Sequence, residues 1–310
     1  NQSRIMNILQ SYRLAASTAL VFVGSVAFAQ SNSTMMDQAQ TQSTATAVNE
    51  RWQPSLVKDG VYDRIPHVNM ALSWQPVREA DIMWKKRIWR EIDTREKQNM
   101  AFRYPGDENT GGGYFIEILI DAIKKGKVKA YNNFDDRFTS ALTKDQIQEV
   151  LYKKPDTSYV EDPVTGNQIM KITKKDFDPE SVTKYRLKED WIFDRNLGRM
   201  IPRIIGIAPL RDIYNDDGSF RASQAMFWIY YPELRPTLAQ YEVFNPDNDV
   251  ARMTWDDFFE GRHFSSHIIK VSNPFDETFK EKGYNNMEAL YEGQRAAEQM
   301  FNKEHDMWVY

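Results

Sequence analysis

Between residues 182 and 207 the chain reads VTKYRLKEDWIF (Val182–Phe193), DRNLG (194–198), Arg199 and MIPRIIGI (Met200–Ile207). On both sides of the central five residues, β-branched and aromatic side chains alternate with polar ones, which is the texture of strands rather than helices. The separating segment Asp194–Gly198 has hairpin length and carries Asn and Gly for a turn. Two strands joined by a hairpin are therefore expected here, and this pair sets the fold class to be argued for the rest of the chain.

The same texture continues downstream. Asn215-Asp216-Asp217-Gly218 marks another turn ahead of AMFWIYY (Ala225–Tyr231), apolar enough for a central strand buried on both faces. Pro202 and Pro209 then belong at an edge or a strand end, because proline cannot donate to a ladder. Thr254 caps a short helix over Trp255–Phe259, and His263–Val271 reads as one more strand. From Asn285 to Asn302 the residues Met287, Leu290, Tyr291, Gln294, Ala297, Met300 and Phe301 recur at helical spacing, so a closing amphipathic helix is expected there.

Upstream the expected elements are helical. Ile82, Trp84, Ile88, Trp89 and Ile92 fall near a 3.6-residue repeat within Val77–Met100, after Pro76, and predict a long helix. A second helix covers Phe115–Lys125 and closes at Gly126, although Tyr114–Ile120 alone also suits a buried strand. A third, at Lys144–Tyr152, follows Thr143 as its cap. The expected class is α+β: a helical N-terminal part packed with a mixed or antiparallel sheet and a C-terminal helix. Its parts are 51–155, mainly helical, and 156–310, sheet-rich with the closing helix, and 51–310 also reads as one compact unit.

Residues 1–50 are of another kind. Arg4 and Arg13 precede an uncharged apolar run, Leu14–Phe28, of about fifteen residues, shorter than a membrane span requires. It ends in Ala27-Phe28-Ala29, so residues 1–29 read as a signal peptide cut before Gln30. No Cys follows to carry a lipid, and no later window approaches eighteen apolar residues. Residues 30–50 are small and polar and read as a flexible linker that buries too little to offset its ordering entropy. Apolar density returns at Trp52, Leu56, Val57, Val61, Tyr62 and Ile65, where Pro54, Pro66 and Pro76 favour an irregular, extended entry.

Composition removes several functions. With no Cys there are no disulfides, thiol nucleophiles or thiolate metal ligands. The net charge of −4 becomes −6 once Arg4 and Arg13 leave with residues 1–29, which argues against nucleic acid as a partner. The aromatic fraction of 13% suits both cores and interface centres.

Reactive constellations are thin. His263 and His267, four apart, suit a metal only if a third ligand joins them, and structural histidines explain them without one. Gly111-Gly112-Gly113 fits neither the dinucleotide fingerprint nor the P-loop and reads as a loop. The acid pairs Asp135-Asp136, Asp216-Asp217 and Asp256-Asp257 are explained by turns and caps, with a carboxylate hydrolase built on Asp256 and Asp257 as the catalytic alternative. Trp84 and Trp89 read as core before they read as a ligand-stacking box, and a binding module around Trp228 and Tyr230 is a further alternative. No cofactor is expected. The C-terminal Trp308, Val309 and Tyr310 lie past the last helix with no obvious core to join, so they are the expected partner contact unless they fold back.

Three long blocks carry a resemblance: VREADIMWKKRIWREIDTREKQN (Val77–Asn99), NNFDDRFT (Asn132–Thr139) and AMFWIYYPELRPTLAQYEVFNPDNDVARMTWDDFFEGRHFSSHIIKVSN (Ala225–Asn273). Together with the signal pattern they closely resemble the gliding-motility GldN family, called PorN in secretion-focused species, over nearly all of residues 51 to about 275. The resemblance implies a non-catalytic subunit of the type IX secretion system, periplasmic and associated with the outer membrane. It implies as partners a lipoprotein (GldK or PorK), the periplasmic part of the inner-membrane protein GldM or PorM, and further copies in a ring, with the membrane met only through partners. The family carries no catalytic residue to transfer.

Overall fold

The computed structural model describes residues 61, 70–106, 113–152, 156–161, 168–173, 177–215, 217–248 and 250–308. The signal pattern, the linker, the entry residues from Trp52 to Ile65 other than Val61, and Gly111, Gly112, Asp216, Val309 and Tyr310 lie outside the described residues. In chain order the elements are β1 (Ile82–Asp93), α1 (Phe115–Lys124), β2 (Ala130–Tyr131), α2 (Lys144–Leu151), β3 (Asp156–Glu161), β4 (Gln168–Thr173), β5 (Val182–Asp194), β6 (Arg199–Tyr214), β7 (Phe220–Ala225), β8 (Trp228–Tyr230), α3 (Tyr231–Leu238), α4 (Trp255–Glu260), β9 (His267–Val271) and α5 (Asn286–Asp306). One seven-stranded sheet runs β2-β8-β6-β5-β1-β9 with β7 beside β6, and β3 with β4 forms a separate two-stranded sheet. Every pairing is antiparallel. The chain is an α+β protein.

The quoted hairpin is the spine of the sheet, with β5 and β6 paired from Asp194 opposite Arg199 to Val182 opposite Arg211, the register shifting at Lys188/Glu189 and at Val182/Lys184. On the other side of β5 stands β1, where the sequence predicts a helix, and this expectation is corrected. The spacing explains the difference: Trp84, Ile88 and Ile92 are four apart, and a spacing of four keeps residues on one face of a strand as well as near one face of a helix.

In β1 those three residues line one face, Ile92 in the main core and Ile88 with Trp84 in a second cluster, while Trp89 packs on the opposite face with Ala208 and Trp228. The charges that suit a solvated helix face instead pair across strands: Arg87 with Asp190 at 2.6 Å, Glu91 with Arg186 at 2.6 Å.

Both prolines also sit differently from the expectation, inside β6 rather than at its ends. They are tolerated because β6 is interrupted on its far side. There it meets β8 only at Gly206–Ile207 and β7 only from Leu210 to Tyr214. Pro202 precedes both contacts, and the Pro209 carbonyl accepts from Met226 N–H at 2.9 Å in the gap between β7 and β8. In an antiparallel ladder a residue's N–H and C=O point the same way, so the donor Pro209 lacks faces that gap. The run Ala225–Tyr231 is accordingly not one strand. It is the end of β7, a two-residue break, three residues of β8 and the first residue of α3, with Pro232 at the helix start where a missing N–H costs nothing.

The helices α1, α2 and α4 form where expected. Glu117 accepts from the Tyr114 N–H at 2.7 Å, Thr143 and Gln146 cap each other, and Thr254 Oγ1 accepts from Asp257 N–H at 3.1 Å. Gly126 closes α1 at φ 70°, a left-handed value that favours glycine. Seven of the ten residues of α1 are buried, so it is the central core helix. Phe102 joins it to α4, with ring centroids 5.2 Å from Phe115, 5.1 Å from Tyr185 and 5.1 Å from Trp255.

Candidate interaction surface

The helix α5 lies over β9 and the end of the sheet. Its start is fixed by reciprocal capping, Asn285 Oδ1 accepting from Glu288 N–H at 2.9 Å and Glu288 Oε2 from Asn285 N–H at 3.0 Å. Its end is tied to β6, where Glu304 Oε1 accepts from Met200 N–H at 2.7 Å. The face turned to the sheet is Ala289, Gly293, Ala296, Ala297 and Met300, packed on Ile88, Ile268 and Phe279.

That is not the stripe the sequence singles out. Of those seven residues, Ala297 and Met300 face the sheet, whereas Met287, Leu290, Tyr291 and Phe301 are 58, 44, 63 and 71% exposed. The reason is distance. At Gly293 a Cβ would stand 2.4 Å from the Ile268 carbonyl oxygen, so the helix backbone approaches the strand too closely for large side chains. Period alone states that α5 has stripes, not which one turns inward.

A soluble monomer seldom presents several large apolar side chains along one helix face without a use for them. Trp308 extends this face. Its Nε1–H donates to the Gly198 carbonyl at 3.1 Å, its ring lies 5.8 Å from His305, and it stays 50% exposed. It thus rests against the β5–β6 turn while keeping half its surface outward.

Several of the remaining sequence candidates have structural partners. Asp256, 4% exposed, holds Arg235 through two bonds of 2.8 and 3.0 Å, and Asp257 caps α4. Arg235 also lies 4.9 Å over the ring of Trp74, whose Nε1–H donates to Glu260 at 2.9 Å, pinning the segment ahead of β1. Asp135 folds the loop before α2 by accepting from the Thr139 hydroxyl at 2.6 Å and from Thr139 and Ser140 N–H at 2.7 Å each, which pulls its carboxyl down to about 2. Asp136 takes the Trp89 indole N–H at 3.0 Å.

That loop seats Phe138 over Gly206, where a Cβ would lie 2.6 Å from the ring, and against Tyr230 and Trp228. Trp228 is thereby packed, 3% exposed, in a cluster with Trp89. Trp84 and Trp89, on opposite faces of β1, form no common box. Gly113 carries φ 89° beside the Glu117 carboxylate.

His267 Nε2 stands 3.8 Å from Glu91, and burial holds its imidazole below the usual range. Among the described residues no three His, Asp or Glu side chains converge on a metal position. Nor is any helix among them long and apolar enough to cross a membrane. Among the described residues the least exposed charge is Glu189, which accepts from Trp191 Nε1–H at 3.0 Å and from Arg262 at 3.1 Å.

The family model for "Gliding motility associated protein GldN" matches residues 77–309, three quarters of the chain. The chain belongs to the GldN family. The match begins ahead of β1 and runs past α5, so the GldN unit includes every strand and helix described above, α5 and Trp308 among them. It extends beyond the blocks that carry the likeness in sequence, which end near residue 275. No curated protein matches the chain. GldN is by its description a gliding-motility-associated protein, and that description names no reaction.

Proposed function

We propose that this GldN-family chain is a non-catalytic structural subunit of the type IX secretion and gliding machinery. In this reading it is exported to the periplasm, held at the outer membrane by a lipoprotein partner of the GldK or PorK kind, assembled with it into a ring, and in contact with the periplasmic region of a GldM or PorM protein. The family match over residues 77–309 carries the reading. Two further observations support it: Asp256 and Asp257 are engaged in an ion pair and a cap, and α5 turns Met287, Leu290, Tyr291 and Phe301 outward.

A closed ring requires heterologous contacts, one patch meeting a different patch on the neighbour. Co-expression of the chain with its lipoprotein partner, followed by purification and light scattering, is expected to give a large oligomer. A discrete monomer in that mixture contradicts the proposal.

A further inference from the structure

Between β1 and α5 runs a groove of about 350 Å³, near the lower end of the 300–1,000 Å³ typical of ligand pockets. Trp84 on β1, Phe279 and Met300 on α5 give it an apolar floor. Its rim carries three cations from two elements, Lys86 of β1 and Arg295 and Lys303 of α5, against one acid, Glu292. Glu292 pairs with Arg295 at 2.6 Å, Lys86 donates to the Ser272 carbonyl at 3.1 Å, and Lys303 has no acidic partner among the described residues.

A lysine in the last turn of a helix is explained by the helix dipole. Lys86, on a strand, is not, and it stands on the same groove. The rim therefore has an excess of two positive charges on a chain whose net charge is −4, a local reversal of sign that selects an anionic occupant. The aromatic and thioether floor asks that occupant for an apolar side chain as well.

We propose that this groove binds an acidic peptide segment of a partner protein, inserting one aromatic or large aliphatic side chain over Trp84 and Met300 while its carboxylates meet Lys86, Arg295 and Lys303. An anionic lipid surface would also answer the charge, but a concave pocket of this size between a strand and a helix presents no flat apolar face to lie on a bilayer.

The test uses the full chain and a fluorescein-labelled peptide with a central phenylalanine flanked by two acids on each side, followed by anisotropy. Saturable binding is expected, weakening with salt, lost when the phenylalanine is alanine or the acids are lysines, and about tenfold weaker in the R295E/K303E double variant, a factor of ten being 1.4 kcal/mol. Both substituted residues are exposed helix positions, so an unchanged thermal midpoint verifies the fold of the variant. No saturable binding, equal binding of the lysine peptide, an unaltered affinity in the double variant, or capture by anionic phospholipid vesicles in preference to the peptide overturns the proposal. It rests on the reading of the chain as an assembly subunit only for the kind of partner. Peptide binding without co-assembly refutes that reading and spares the groove, and co-assembly without peptide binding does the reverse.

Discussion

Gly293→Ala sets two effects of known size against each other. Alanine is better than glycine inside a helix by about 1 kcal/mol, so propensity alone predicts a more stable protein. Against it, the new Cβ would stand 2.4 Å from the Ile268 carbonyl oxygen, about 1 Å inside ordinary contact. That oxygen belongs to β9, whose Ile268 is paired with Arg90 of β1, so it cannot swing aside as a side chain would. The helix must lift instead. A gap of 0.5–1 Å forfeits roughly a quarter to a half of each dispersion contact along Ala289, Ala296, Ala297 and Met300, and overpacking of this kind costs about 1–3 kcal/mol.

The steric cost wins, leaving a net loss of about 1 kcal/mol and a thermal midpoint about 2–4 °C lower for a domain of this size. Calorimetry on the variant, with Gln294→Ala on the exposed side as the control, reads the difference. A Gly293→Ala protein as stable as the native one, or more so, refutes the close seating of α5 on β9.

Asp256→Ala removes both hydrogen bonds of the buried Arg235 guanidinium, leaving it Glu260 at 3.8 Å, and is expected to cost about 3 kcal/mol in denaturant unfolding, whereas the apolar pair Arg235→Met with Asp256→Leu restores most of the loss. His267 is held below its ordinary 6.5, so the unfolded chain binds the proton more readily; its contribution is complete above about pH 6.5 and falls as pH drops through the folded value. His267→Gln should flatten the stability–pH curve in that window, and an unchanged slope would count against the assignment. Leu290→Glu with Phe301→Glu, both outward on α5, should leave the thermal midpoint nearly unmoved and, under the proposed function, reduce co-assembly with the proposed lipoprotein partner; a collapse of stability would show that the stripe is core after all.

Where local grammar is decisive, the elements could be read directly from residues. Thr143, Thr254 and Asn285 cap helices because each has a partner three residues on, and Gly126 ends α1 because its φ is positive. The β5–β6 hairpin follows from alternation around Asp194–Gly198. Failure came where one pattern satisfies two geometries. The four-residue spacing of Trp84, Ile88 and Ile92 serves helix and strand alike, and only the pairing of β1 with both β5 and β9 decides between them.

On α5 the helix was legible, but its orientation depends on the backbone contact at Gly293, a tertiary fact that large residues at helical spacing disguise. The spacing therefore marks the stripe and not the direction it faces. Trp308 was legible as a residue without a place in the last helix; its hydrogen bond to Gly198, 110 positions away, was not. Small residues at Ala289, Gly293, Ala296 and Ala297 were the signal available for the inner face, since close helix–strand approach needs them.

Sedimentation velocity on the full chain co-expressed with the lipoprotein proposed as its partner, native against L290E/F301E, tests most directly the proposal that this molecule works by assembly. The native protein should sediment as a large complex and the variant as much smaller species at equal fold stability. A native chain that sediments alone would contradict the account.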